Sequence, residues 1–188
     1  TDASVQQTWC EFIFKEALGY TSKVIRDGQT MPRGLSLDLP QYSETLQADT
    51  AIIDPDQTNR ARLLFKRYSA KQNLDAPLTG SPYEASPATR MTDLLQATGV
   101  SLGLITNGEH WQLIRVAPAT NTSYANFYTS LWREEPLTLR AFVSLLSAKR
   151  FFGVDANDTL EALYVRSSQD QQDVTDQLGE QVRQAVAV

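Results

Sequence analysis

GLITNGEHWQLIRV, Gly103 to Val116, decides how this chain is read. Two runs rich in Leu, Ile and Trp flank Asn107-Gly108. Asn-Gly between such runs is the strongest short-range signal for a β-hairpin, because both residues tolerate positive φ. Just upstream, SPATRMTDLLQATG has the layout of a short helix. Ser86 caps it, Pro87 takes the first helical position, Gly99 ends it, and Met91, Leu94, Leu95 and Thr98 share a face. Further upstream, LQADTAIIDP reads as a strand ending at Pro55 and ARLLFKRYS as a second strand. PDQTNR between them is turn material, so the two form an antiparallel hairpin.

The flanks complete the pattern. Val5, Trp9, Phe12, Ile13 and Ala17 recur at helical spacing and predict a helix over 4–18 closed by Gly19. RDGQTMPRG, punctuated by Gly28, Pro32 and Gly34, reads as a loop. After the central hairpin, a Ser/Thr/Asn-rich loop is expected around 119–126. PLTLRAFVSLLSAKRFFG then makes a helix with a stripe of Leu139, Phe142, Val143 and Leu146, stopped by Gly153. The expected class is α/β: a mixed, mostly antiparallel sheet of about four strands flanked by helices, with a helical segment at the C-terminus.

That segment differs in character. From Ser167 onward the chain is rich in Gln and Asp, with Val174, Leu178, Val182 and Val186 forming the narrow seam of an amphipathic helix. It ends on AVAV without a cap, and the chain does not begin with Met, so the natural polypeptide is expected to continue. The expected organisation is an α/β domain over 1–153 and a helical appendage over 154–188 leading to a further domain.

Composition narrows the function classes. Among 188 residues, 41% are hydrophobic and 21% charged, as in ordinary globular chains. The net charge of −5 counts against strong nucleic-acid binding by the chain as a whole, while leaving room for a local basic strip. No apolar run reaches about eighteen residues, so no membrane partner is expected. A single cysteine, Cys10, excludes an internal disulfide and suits a reducing cytoplasm. Neither G-x-x-x-x-G-K-[ST] nor G-x-G-x-x-G nor G-x-S-x-G occurs, and one His with one Cys does not make a zinc site of the usual kind. His110, beside the hairpin turn, reads as a solvated surface histidine. Cys10 reads as a buried structural thiol, and Trp111, alternating with Leu113, as core.

GLITNGEHWQLIRV, with the helix MTDLLQATGVSL before it, resembles a segment of large bacterial restriction–modification proteins and related phage-defence methylases. These are single chains that fuse an N-terminal nuclease-type domain to an adenine-specific DNA methyltransferase. SLWREEPLTLRAFVSLLSAKRFFG and QQDVTDQLGEQVRQAV resemble the same proteins, so the likeness covers most of 40–188. It implies a PD-(D/E)xK-like, restriction-endonuclease-like domain. Such domains place an Asp at the end of one strand and Glu-x-Lys on the next. The two carboxylates hold Mg²⁺ and the Lys orients the nucleophile. A hairpin brings these groups together because alternate residues share a face.

Carried onto this chain, the Asp is Asp49, with Ala48 where Pro is usual. The Glu position falls on Lys66 and the Lys position on Tyr68, and no Glu occurs between Glu44 and Glu84. A carboxylate about 4 Å from a cation gains roughly 4 kcal/mol per unit charge at an effective dielectric near 20, and a lysine in its place reverses the sign. The resemblance therefore implies a catalytically degenerate domain that positions DNA or the methyltransferase. Asp49 is its metal and catalytic position, and Lys66 and Lys71 are candidates for the lysine. Lys66, Arg67 and Lys71 form a candidate DNA-binding strip. An active Mg²⁺ endonuclease would need Glu44 or Glu84 as the second carboxylate. S-adenosylmethionine belongs to the downstream domain, since its Gly-rich and N-P-P-Y motifs are absent from these residues. Plainer readings stand beside these. Asp49 can cap a turn, the basic strip can be a solvated strand edge, and Arg140, Lys149 and Arg150 can be the solvent face of their helix. The whole chain can be a non-enzymatic interaction module whose tail helix docks a partner.

Overall fold

The quoted segment becomes two neighbouring strands of a mixed sheet in the computed structural model of the chain, which describes residues 2–57, 60–117, 122–167, 169–170 and 177–178. Two compact units divide the chain, Thr1–Ser147 and Ala148–Val188. The first begins with helix α1 (Asp2–Phe12), which widens into a π turn over Ile13–Ala17. Strands β1 (Ile25–Asp27), β2 (Ser36–Leu39), β3 (Glu44–Gln47), β4 (Thr50–Ile53) and β5 (Ala61–Arg67) follow, then helix α2 (Pro87–Thr98). Strands β6 (Leu102–Thr106), β7 (His110–Arg115) and β8 (Ser123–Tyr128) and helix α3 (Pro136–Leu146) complete it. The main sheet has six strands in the order β1-β4-β5-β6-β7-β8, larger than the four expected, and β2 pairs with β3 in a separate hairpin. Every pairing is antiparallel except β5 with β6, which run parallel because α2 carries the chain across between them.

The additional strands lie where the sequence reads as loop or as one long strand. β1 enters the RDGQTMPRG segment, and β8 takes residues 123–126 out of the expected loop. LQADTAIIDP is not one strand: it breaks at Ala48-Asp49, where the chain leaves the β2–β3 hairpin for the main sheet. The β4–β5 pair is antiparallel as read, with Thr50 opposite Phe65. The central turn also differs in detail. Asn107 N–H donates to the His110 carbonyl at 3.2 Å, which makes Gly108 and Glu109 the central pair. Only Gly108 has positive φ, +99°, as a hairpin turn with glycine in its first central position requires. Asn107 contributes through its side chain, whose Oδ1 accepts from the Glu109 and His110 N–H groups at 3.1 and 2.8 Å.

α2 forms as its caps dictate: Ser86 Oγ accepts from Thr89 N–H at 3.1 Å, and Gly99 closes the helix at φ +71°. Met91, Leu94 and Leu95 pack on Ala51, Ile53, Leu64, Ile105 and Ile114 across one face of the sheet. The approach is so close at Gly103 that an added Cβ would lie 2.6 Å from Met91 Cγ. On the opposite face, Phe14 meets Phe65 edge-on at 4.7 Å, and Trp111 lies between Phe65 and Phe142 at 6.0 and 5.5 Å. Trp111 is fully buried, and burying a side chain of the Val/Leu/Phe class is worth about 1.5–3 kcal/mol. α1 turns a different face inward from the one its spacing suggests. Cys10, Ile13, Phe14 and Leu18 are buried, whereas Val5 is 70% and Phe12 52% exposed.

The expected helix over 136–152 is interrupted at Ser147, whose ψ of 148° is extended, and the two units divide there. The second unit holds helix α4 (Ala148–Phe152), closed by Gly153 N–H on the Lys149 carbonyl, and a helical stretch over 160–167. Arg150 and Arg166 both bond to Asp158 within it. Val174, Val182 and Val186 of the expected tail seam lie outside the described residues. Among the described residues, no helix is long and apolar enough to cross a membrane.

Candidate functional site

Asp49 stands immediately before β4, at the crossing from the small hairpin to the main sheet. Its N–H donates to the Phe65 carbonyl at 2.8 Å and its Oδ2 accepts from the Arg67 N–H at 2.7 Å. The side chain thus stands in for a main-chain carbonyl at the end of the β4–β5 ladder. Extending the register of Thr50 with Phe65 sets Asp49 beside Lys66. Lys66 Nζ donates to Asp49 Oδ1 at 3.2 Å and to the Gln47 carbonyl at 2.8 Å. The pair is partly open to solvent, with the Lys66 side chain 26% and the Asp49 side chain 40% exposed.

The basic residues read as one strip are separated by the alternation of β5. Lys66 faces the α2 side, in a cavity of about 180 Å³ lined also by Glu44, Gln47, Tyr68, Arg90 and Leu94. Arg67 faces α1, lining a cavity of about 280 Å³ with Cys10, Phe14, Asp27 and Asp49. A third cavity, of about 620 Å³, shares Asp49 and Arg67 and adds Arg33 and Gly34 from the loop after β1. Lys71 lies in the exposed turn beyond β5, and no hydrogen bond or ion pair joins it to Asp49 or Lys66. The structure therefore brings Asp49, Lys66 and Arg67 together and leaves Lys71 apart.

Mg²⁺ takes near-octahedral oxygen coordination from one or two carboxylates, waters and substrate phosphates. Here the one carboxylate has an ammonium on one oxygen and a main-chain N–H on the other, and this donor set does not fit the ion. Neither proposed substitute carboxylate supplies what is lacking. Glu84 is exposed in the loop before α2. Glu44 is engaged by Arg90, whose guanidinium reaches both its oxygens, and it also accepts from Ser81 Oγ at 2.8 Å and Tyr83 N–H at 3.1 Å. Hydrogen bonding from Arg90 pulls the Glu44 carboxyl down to about 2. Among the described residues, no group of three His, Cys, Asp or Glu is disposed to hold a metal.

Arg90 went unread in the sequence, although a signal was present. It precedes Leu94 by four positions, so it lies on the inward stripe of α2, and a buried guanidinium needs an acidic partner. Arg90 also donates to the Tyr83 carbonyl at 2.6 Å, and the Tyr83 hydroxyl donates to Asp93 Oδ2 at 2.6 Å. That bond pushes the Tyr83 phenol up to about 12. Cys10 is buried as read, and burial raises its thiol to about 11 against the opposing pull of Arg67. His110 is not solvated: it is 8% exposed, stacks on Tyr128 at 4.5 Å and shares a 2.9 Å hydrogen bond with Asn126 Oδ1. It faces β8, a strand whose polar sequence carries no apolar alternation, so nothing local to His110 marks its burial.

Neither protein-family models nor curated proteins nor solved structures provide a match to this chain.

Proposed function

We propose that this chain is a nuclease-like, restriction-endonuclease-type domain from a bacterial restriction–modification or phage-defence adenine-specific DNA methyltransferase. It is catalytically degenerate and serves to position DNA or the methyltransferase. The observation that carries the reading is the Asp49–Lys66 pair. Two successive antiparallel strands bring an Asp at a strand end beside the residue that holds the Glu position of Glu-x-Lys. The residue there is a lysine bonded to that Asp. A mixed sheet flanked by helices on both faces is compatible with such a domain. Lys66 is occupied by Asp49, so phosphate contact falls to Arg67, Arg33 and the exposed Lys71. Mg²⁺ has no step in this role, and S-adenosylmethionine belongs to the downstream methyltransferase domain.

Two assays of the purified chain test the reading. Plasmid incubated with Mg²⁺ stays supercoiled, and nicking that Asp49→Ala abolishes would overturn the degenerate centre. Gel shifts with duplex DNA show binding that weakens steeply between low and moderate salt, as phosphate contacts demand. No binding at low salt would favour the interaction module instead. That second reading draws on the exposed apolar side of α1, where Val5 and Phe12 lie with Trp9 between them.

A further inference from the structure

β8 is an edge of the six-stranded sheet, with β7 on one side and, among the described residues, no strand on the other. Its residues, SYANFY, include no charge and no proline. Its pairing with β7 runs from His110 opposite Tyr128 to Arg115 opposite Ser123 without a register shift. Charges, prolines and bulges are the devices that ordinarily keep an edge from pairing with another chain, and β8 has none of them. The ladder also identifies which main-chain groups point outward. Thr129 N–H donates to the Glu109 carbonyl at 2.9 Å, so the hydrogen-bonded partners of β7 are Ser123, Ala125 and Phe127. The N–H and C=O groups of Tyr124, Asn126 and Tyr128 therefore face away from β7. All three residues are exposed, and among the described residues these groups have no partner.

We propose that β8 pairs antiparallel with β8 of a second copy of this chain, about a two-fold axis through Asn126. Residues directly opposite in an antiparallel pair share a face, so the axis must pass through a residue and not between two. An axis at Asn126 sets Asn126 against Asn126 and Tyr124 against Tyr128, and each pair exchanges both of its outward main-chain hydrogen bonds. An axis at Ala125 or Phe127 sets one of the three outward residues against a residue outside the strand. With the axis at Asn126, one face gains a Tyr–Tyr cross-strand pair on either side of the Asn pair, and aromatic cross-strand pairs are favourable. No like charges meet along the strand, although each copy carries a net charge of −5. Two of these side chains are already held in place: His110 stacks on Tyr128 and bonds to Asn126.

Sedimentation velocity of the full chain, from about 1 to 200 μM, tests this. The expected result is a monomer–dimer equilibrium. Asn126→Lys places a like charge opposite itself and weakens the dimer at least about tenfold, as does Asn126→Asp. An equimolar mixture of the two variants recovers the dimer, because Lys then faces Asp. Circular dichroism identifies a variant that fails to fold. In that event Asn126→Cys substitutes: opposite Cα atoms in a hydrogen-bonded pair lie about 5.5 Å apart, within disulfide reach. Oxidation in air with copper phenanthroline links Asn126→Cys into a covalent dimer and leaves Ser123→Cys unlinked. A chain that sediments as a monomer at every concentration overturns the proposal. So does a dimer indifferent to Asn126→Lys, or one that Asn126→Cys does not capture.

Discussion

Two carboxylate–cation pairs, Glu44 with Arg90 and Asp49 with Lys66, contribute to neighbouring parts of one surface, and Glu44, Arg90 and Lys66 line the same small cavity. The first is sequestered at its cation end. The Arg90 side chain is 8% exposed, and Ser81, Tyr83 and Glu44 surround its guanidinium. The second is partly open to water at both ends, and it borders cavities on both sides of the sheet. Burial makes a pair costly to break, because removing one member leaves the other charged and desolvated. Exposure makes a pair inexpensive to break, since water and salt replace the lost partner. The chemistry is nearly the same, but the Glu44 pair holds the β2–β3 hairpin and the 78–85 segment to α2, whereas the Asp49 pair ties the end of the β4–β5 ladder beside open cavities.

The largest expected effect follows for Glu44→Ala, which strands the buried Arg90 guanidinium and costs about 3–5 kcal/mol of unfolding free energy by urea titration. Replacing both members together, Glu44→Leu with Arg90→Met, is far milder, because nothing charged is left unpaired. A loss of under 1 kcal/mol in Glu44→Ala would erase the contrast. Acid offers a second test. The Glu44 carboxyl titrates near 2 in the fold, against an ordinary value of 4.5. The stability it contributes is present above pH 4.5 and is lost as pH falls toward 2. Urea midpoints followed down that window fall more steeply for the native chain than for Glu44→Gln.

Much of the fold was legible in the sequence where local rules and tertiary packing agree. α2 announces itself through Ser86, Pro87 and Gly99, and β6 and β7 through their apolar runs around Asn107-Gly108. β8 was not legible, because its inward residues are Ala125 and Phe127 and its outward ones Tyr, Asn and Tyr, so polar composition masks the alternation. The inward face of α1 was misread because Val5, Trp9 and Phe12 make an equally good helical stripe, and only the sheet's own surface selects Cys10 and Phe14. Of the site, the neighbourhood of Asp49 with position 66 was readable from the hairpin. The partition of Lys66 and Arg67 to opposite faces follows from strand alternation, and reading them as one strip ignored it. The Glu44–Arg90 pair joins residues 46 positions apart, and no local pattern specifies such a partner.

A smaller effect sharpens the meaning of Lys66. Lys66→Glu sets two carboxylates side by side and costs about 1–2 kcal/mol without divalent ions, by the same arithmetic that limits exposed like-charge pairs. Magnesium then raises the melting temperature of the variant and leaves that of the native chain unchanged. If both respond alike, Lys66 is not what keeps the ion out.

The smallest effect is expected for Lys66→Ala. The Lys66 ammonium has two oxygen partners, Asp49 Oδ1 and the Gln47 carbonyl, yet both ends of the ion pair remain hydrated. Water replaces the ammonium at each oxygen, and Asp49 keeps its 2.7 Å bond from the Arg67 N–H. The ladder end therefore survives, and the loss stays below about 1 kcal/mol, diminishing further in molar salt. A loss above about 2 kcal/mol that salt does not reduce would mean that the Asp49 pair is as structural as the Glu44 pair. The lysine would then be explained by stability alone, and its position opposite Asp49 would no longer argue for a site that once did chemistry.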